Sequence, residues 1–254
     1  MVKRYFKRLV PIFGVLWVVT YFGNDVLRRF EGDAASVSTG TVSGGNLSNG
    51  KRLPSAGTNF HVNSRLSALV MGNYVHEKVR DLILDAYDSL SVILPNKKFI
   101  YGQAGGNGIF SPRSNGMSID FMVPVIDLQG NSTTLPIYPW NQFGYGVKFN
   151  VIGKRSPYRI DFQAMAAHIF ILNKLAAQHG MSVARVFFDP GLQPILFRTA
   201  FGAKLQQEIN FPGKPGNSAL PYDNHYRVDF SFSTESVNET VTGTDQNNTA
   251  KNYR

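Results

Sequence analysis

The chain has 254 residues, 43% of them apolar, with 26 Lys and Arg against 17 Asp and Glu for a net charge of +9. That length allows one large domain or two small ones with ample chain to bury a core, and the apolar share excludes wholesale disorder. There is no cysteine, so disulfide frameworks, thiolate zinc sites and cysteine nucleophiles are excluded together; a transition-metal site would have to draw on five histidines and the carboxylates.

The charge is uneven. Residues 1–30 carry Lys3, Arg4, Lys7, Arg8, Arg28 and Arg29 against Asp25 alone, which is +5 of the +9. Elsewhere no Lys/Arg run is interleaved with aromatics, which argues against a nucleic-acid partner. The cationic start is followed by the apolar run Leu9–Phe22, the layout of a secretory signal peptide or an uncleaved signal-anchor over residues 1–30. The run is short for a transmembrane helix. Basic residues on its N-terminal side would keep that end cytoplasmic and put the body outside the inner membrane, anchored in it if the segment is not cleaved.

Residues 31–51 are rich in Gly, Ser, Asn and Thr, a composition that predicts a flexible tether. A domain over 52–232 follows, and the polar residues 233–254 predict a disordered tail. Inside the domain, Val75, Val79, Leu82, Ile83, Ala86, Tyr87 and Leu90 fall at helical spacing over 75–90. Strand-like runs occupy Lys98–Tyr101, Ser118–Val125, Val183–Phe188 and His225–Phe232, with a turn at Gln129–Ser132. A second helix runs from Phe162 to His179, with Asp161 as N-cap and Gly180 as its stop. This order predicts an α+β fold, a mostly antiparallel central sheet flanked by helices.

Two strands carry the chemistry. In Ser118–Val125, Ile119, Phe121 and Val123 share a face, so Asp120 points to the other. In the last strand, Val228, Phe230 and Phe232 share a face and set His225, Arg227 and Asp229 together opposite. Periodicity alone reads most simply as polar residues facing solvent.

The residues themselves say more. Arg113-Ser-Asn-Gly116-Met-Ser-Ile-Asp120 resembles the His-x-x-Gly-x-x-x-Asp segment of penicillin-insensitive murein endopeptidases and related D-Ala metallopeptidases. His225-Tyr226-Arg227 resembles their closing His-x-His strand. Asn46–Pro54, Gly57–Phe60, Tyr74–His76 and Val186–Pro190 are similar to other stretches of that family, in the same order over roughly residues 45–232. The resemblance implies a murein endopeptidase-like fold, a periplasmic location and a zinc site that cuts peptidoglycan cross-links. It implies as ligands the positions of Arg113, Asp120 and Arg227, with His225 assisting.

Two of those three positions hold arginine, which stays protonated and offers no lone pair. None of His61, His76, His168, His179 and His225 can be shifted into either motif. Arg113 and Arg227 would instead balance the charge of Asp120 and suit carboxylate ligands. The expectation is a non-catalytic protein that binds peptidoglycan or a cell-wall partner through Arg113, Asp120, His225 and Arg227, with no cofactor. The alternative is an active metalloendopeptidase whose zinc is held by Asp120 and His225 with Asp223 or Asp229. Asp229 lies about 13 Å along the strand from His225, too far to share one ion.

Other candidates have simpler readings. Asp161 and His168 read as an N-cap and a core histidine, and His76 as a helix-start residue. Gly102–Gly108 lacks a phosphate-loop ending and reads as a loop beside the cleft. Trp140–Tyr145 offers aromatic and amide groups that could stack on sugars, or a packed surface loop. Ser111 and Ser114 have no neighbouring base.

Overall fold

The computed structural model describes residues 2–104, 114–213 and 222–233, with the backbone alone for residues 2–10 and 71–72. Helix α1 (Val2–Arg28) leads into a hairpin of β1 (Val37–Thr39) and β2 (Asn46–Ser48). Next come β3 (Lys51–Arg52), β4 (Phe60–Val62), the short α2 (Arg65–Ser67), a π-helical turn over Ala68–Gly72, and β5 (Tyr74–Val75), which pairs with β3. Helix α3 (Glu77–Ile93) precedes β6 (Phe99–Ala104) and β7 (Ser118–Met122). Four short strands follow: β8 (Val125–Ile126), β9 (Ser132–Thr133), β10 (Lys154–Arg155) and β11 (Tyr158–Ile160). The rest is α4 (Phe162–Ala176), β12 (Met181–Phe187), α5 (Gln193–Phe197), α6 (Gly202–Glu208) and β13 (His225–Phe232).

The central sheet has the order β12-β13-β7-β6-β4, antiparallel except for the parallel pair β4/β6. A smaller antiparallel sheet, β10-β11-β8-β9, sits beside it. The fold is therefore α+β with a mostly antiparallel central sheet and flanking helices, as the order of elements predicts.

Local chemistry explains the helix limits. His76 caps α3, its Nδ1 accepting the Lys78 N–H at 3.2 Å, and the helical stripe Val79, Leu82, Ile83, Ala86, Tyr87 and Leu90 is buried. Asp161 caps α4 by accepting the Ala164 N–H at 3.0 Å, and Gly180 ends the following turn at φ +66°. Such a left-handed stop suits glycine because it has no Cβ to clash.

Three expectations change. The run Ser118–Val125 is two strands in two sheets. Pro124 cannot donate to a ladder; the chain leaves the central sheet there, and the Pro124 carbonyl accepts the Asp161 N–H instead. Residues 31–51 are folded onto the domain rather than forming a tether. Leu47 is 1% exposed, and Ser36 donates from its hydroxyl to the Asn49 carbonyl and from its N–H to Glu77. The glycines there serve close packing, since a Cβ on Gly45 would lie 2.2 Å from the Thr39 carbonyl oxygen. Composition registers turns, and it does not distinguish an ordered turn from a loose one. Finally, the apolar run near the N-terminus lies within α1, and its last turns pack on the domain. No helix among the described residues is long and apolar enough to cross a membrane. The polar stretch from residue 234 onward and Arg113 lie outside the described residues.

Candidate functional site

The register of β7 against β13 sets Ser118 opposite Asp229, Asp120 opposite Arg227 and Met122 opposite His225. Three of the four residues singled out in the sequence therefore meet on one face of the central sheet. Asp120 is 2% exposed, and both of its oxygens are engaged. Arg227 Nε donates to Oδ1 at 2.8 Å, and the Tyr145 hydroxyl donates to Oδ2 at 2.9 Å. On balance the carboxylate raises the guanidinium's pKa, against a lowering by burial.

Tyr145 reaches this carboxylate because the segment carrying it is clamped to the start of β13. Asn224 Nδ2 donates to the carbonyls of Tyr145 and Val147, at 2.7 and 2.6 Å, and Asp223 Oδ2 accepts the Phe149 N–H at 2.8 Å. Within the segment, Gln142 and Phe143 adopt φ of 54° and 53° in succession. Left-handed backbone at two side-chain-bearing residues costs about 1–3 kcal/mol each. Asn141 helps hold it, its Oδ1 accepting the N–H groups of Tyr138 and Gly144. The Tyr145 hydroxyl also accepts the Gln103 N–H at 2.8 Å. Gly102 makes room: a Cβ there would stand 2.4 Å from that hydroxyl.

His225 is 1% exposed, between the rings of Tyr145 and Tyr222 at 4.8 and 4.5 Å. Its Nδ1 lies 2.6 Å from Asn224 Oδ1. Asn224 spends its amide N–H groups on two carbonyls, so its oxygen can only accept and Nδ1 must carry the proton. Nε2 is then a bare lone pair, buried and without a partner among the described residues. Burial holds the ring's pKa below its ordinary value, with Asp120 pulling upward and Arg227 downward. The ring is neutral near pH 7.

Of the neighbouring carboxylates, Asp229 is committed elsewhere and Asp223 only through one oxygen. Asp229 accepts from Ser118 Oγ at 2.8 Å and from Arg185 Nε at 2.6 Å. Asp223 keeps Oδ1 buried without a partner among the described residues, and burial raises its pKa. Among the described residues no three His, Asp or Glu side chains are grouped to hold a metal ion. Each oxygen of Asp120 accepts a hydrogen bond, and the cationic Arg227 occupies the neighbouring ligand position, where it would repel a dication.

A cavity of about 360 Å³ adjoins this cluster, lined by Val62, Asn63, Asn73, Gln103, Phe143 and Tyr145 among others. Tyr145 belongs to both: its ring borders the cavity and its hydroxyl holds Asp120. A mostly apolar hollow with a few converging amides is the usual form of a small-ligand site.

The other candidates fall into structural roles. Asp161 pairs with Lys97 at 2.6 Å besides capping α4, and His168 is wholly buried, as an N-cap and a core histidine should be. Ser114 is buried, its hydroxyl accepting the Gly116 N–H. Ser111 and residues 105–108 of the glycine-rich loop lie outside the described residues. Trp140 is 80% exposed and stacks on Tyr138 at 4.6 Å. Sequence reading did not give Tyr145 its role as the second partner of Asp120, nor Asn224 its role as clamp. The available signal was Gly144-Tyr-Gly146, an aromatic between glycines in a turn, which marks close backbone approach without naming the partner.

No family model matches the chain, and no curated protein matches it.

Tyr145→Phe should keep the ring packed but leave one oxygen of Asp120 and the Gln103 N–H unpaired. The expected loss is about 1–3 kcal/mol of unfolding free energy, read by urea denaturation. An unchanged midpoint would show that water replaces the hydroxyl without penalty.

Proposed function

We propose that this chain is a degenerate relative of the murein endopeptidases, exported to the periplasm, that binds peptidoglycan or a cell-wall protein without cutting it. One observation carries the reading. Asp120, the family ligand the sequence retains, accepts hydrogen bonds from Arg227 and Tyr145 at its two oxygens. Arg227 thus supplies next to this buried carboxylate the positive charge that a metal supplies in the family, and it does so from a ligand position.

The same guanidinium suits a binder. Its side chain is 33% exposed, and Nε is the atom committed to Asp120. A guanidinium has five N–H donors in a planar fork, so the outer edge can meet a carboxylate. Peptidoglycan stem peptides are rich in carboxylates. The adjoining cavity, with Asn63 and Gln103 on its wall, offers apolar surface and amides for the rest of such a ligand.

The test is metal analysis of the purified chain together with a muropeptide cleavage assay and retention on isolated sacculi. Substoichiometric zinc, no cleavage and retention on sacculi are expected. The double variant Asp120→Asn/Arg227→Met removes both charges together and spares the fold an unpaired ion; it should bind sacculi more weakly. Stoichiometric zinc with cleavage would overturn the reading, and equal retention of the variant would remove Arg227 from binding.

A further inference from the structure

We propose that α1 is retained in the mature protein as an anchor buried in a lipid bilayer and locked onto the domain.

The C-terminal end of α1 is part of the fold. Asn24 is 1% exposed, its amide donating to the Leu53 carbonyl at 3.0 Å and to Ser55 Oγ at 3.1 Å. Its oxygen accepts from Arg52 Nη1 at 2.9 Å. Arg52, itself 6% exposed, also donates to the Ala68 carbonyl and the Tyr74 hydroxyl, while its backbone N–H donates to Glu31. Asp25 accepts the Ser55 N–H at 2.9 Å, and Arg65 donates to the Tyr21 carbonyl at 2.8 Å. Gly23 lets the helix come close, because a Cβ there would sit 2.9 Å from Leu69. A cut between Asp25 and Glu31 would remove Asn24 and Asp25 and so strip partners from the buried Arg52 guanidinium and from buried backbone groups. Burying such groups unpaired is unfavourable. The socket therefore has α1 built into it.

Among the described residues, nothing packs around the preceding turns of the same helix. Every residue from Pro11 to Val19 is exposed, and Ile12, Phe13, Val15, Leu16, Trp17, Val18 and Val19 are between 49% and 65% exposed. At about 100° per residue these side chains point to all sides. A partner helix would need one apolar stripe and a polar back; apolarity all round calls for an apolar medium all round. No charged residue occurs from Leu9 to Asn24, and the flanks are basic: Lys3, Arg4, Lys7 and Arg8 before, Arg28 and Arg29 after. Basic residues at the edges of an apolar helix complement anionic headgroups. The occupant is therefore lipid, and the socket holds the domain against the membrane surface with no slack linker between.

The test uses the full chain carrying Trp140→Phe, which leaves Trp17 as its one tryptophan. Mixed with phosphatidylcholine/phosphatidylglycerol vesicles, it should float with the lipid. Trp17 emission should shift to the blue and be quenched by brominated acyl chains. Adding Leu16→Glu, at an exposed position, should weaken partitioning by about tenfold to a hundredfold with the melting temperature unchanged. The intact mass of the chain extracted from membranes should include residues 21–31. An unshifted Trp17, binding abolished by salt without acyl quenching, a soluble oligomer that ignores vesicles, or a mature chain lacking Asn24 would each overturn the proposal.

Discussion

Arg227→Ala should cost about 2–4 kcal/mol of unfolding free energy at pH 7, measured by urea denaturation. Removing one partner of a fully buried ion pair costs about 3–5 kcal/mol because the other charge stays behind unpaired. Here Asp120 has 2% of its side chain exposed and Arg227 33%, so water screens the pair from one side and the loss is smaller. Tyr145 remains as a hydrogen-bond donor to Oδ2, but a hydroxyl carries no charge. The double variant Asp120→Asn/Arg227→Met should recover most of the loss, since no ion is left buried. If the loss came from packing alone, neutralising Asp120 as well would not recover it.

The strand faces that carry this site were legible in the sequence from alternation, although alternation by itself read as polar residues facing solvent, whereas Asp120, His225 and Asp229 are buried. A period of two puts His225, Arg227 and Asp229 on one face and Asp120 on another strand's outer face, and a cross-strand pair needs only the right register. What alternation could not supply was the third partner. Tyr145 arrives from a segment whose path depends on two left-handed residues and on the Asn224 clamp. Such a path is set by tertiary hydrogen bonds between residues 77 or more apart. The helices were legible for the converse reason: their caps, His76 and Asp161, act within three residues. Segment 31–51 misled because glycine and serine are shared by mobile linkers and by tight ordered turns. Only a partner for the turn, here the domain surface under Leu47, decides between them. The division of Ser118–Val125 was in principle readable, since Pro124 cannot sit inside a central ladder.

His168 should make the protein acid-labile, and His168→Phe should remove most of that lability. The ring is wholly buried on α4, stacked on Tyr87 at 5.3 Å and edge-on to Phe121 at 4.6 Å, with Phe99 and Tyr226 also around it. Its Nδ1 is hydrogen-bonded to the Tyr226 hydroxyl. Burial alone lowers its pKa from 6.5 to about 3. In the fold the ring is neutral, while the unfolded chain takes up a proton near pH 6.5. Below that value the unfolded state binds more protons than the native one, so stability falls as pH falls and the contribution is gone by about pH 3. The gap between the two values corresponds to about 5 kcal/mol at most, of which about 2 kcal/mol is lost by pH 5. That matters for a domain whose net stability is of order 5–15 kcal/mol. Phenylalanine fills the same volume and takes no proton, but it leaves the Tyr226 hydroxyl unpaired, at about 1–3 kcal/mol. The two stability curves should therefore cross. Wild type should be the more stable at pH 7 and the variant the more stable near pH 4, by urea denaturation across that range. His225 and His76 also have pKa values lowered by burial and act with the same sign, so the variant keeps a shallower slope and not a flat line. Equal slopes in the two proteins would assign the acid sensitivity to those histidines and leave His168 protected from protons even in the unfolded chain.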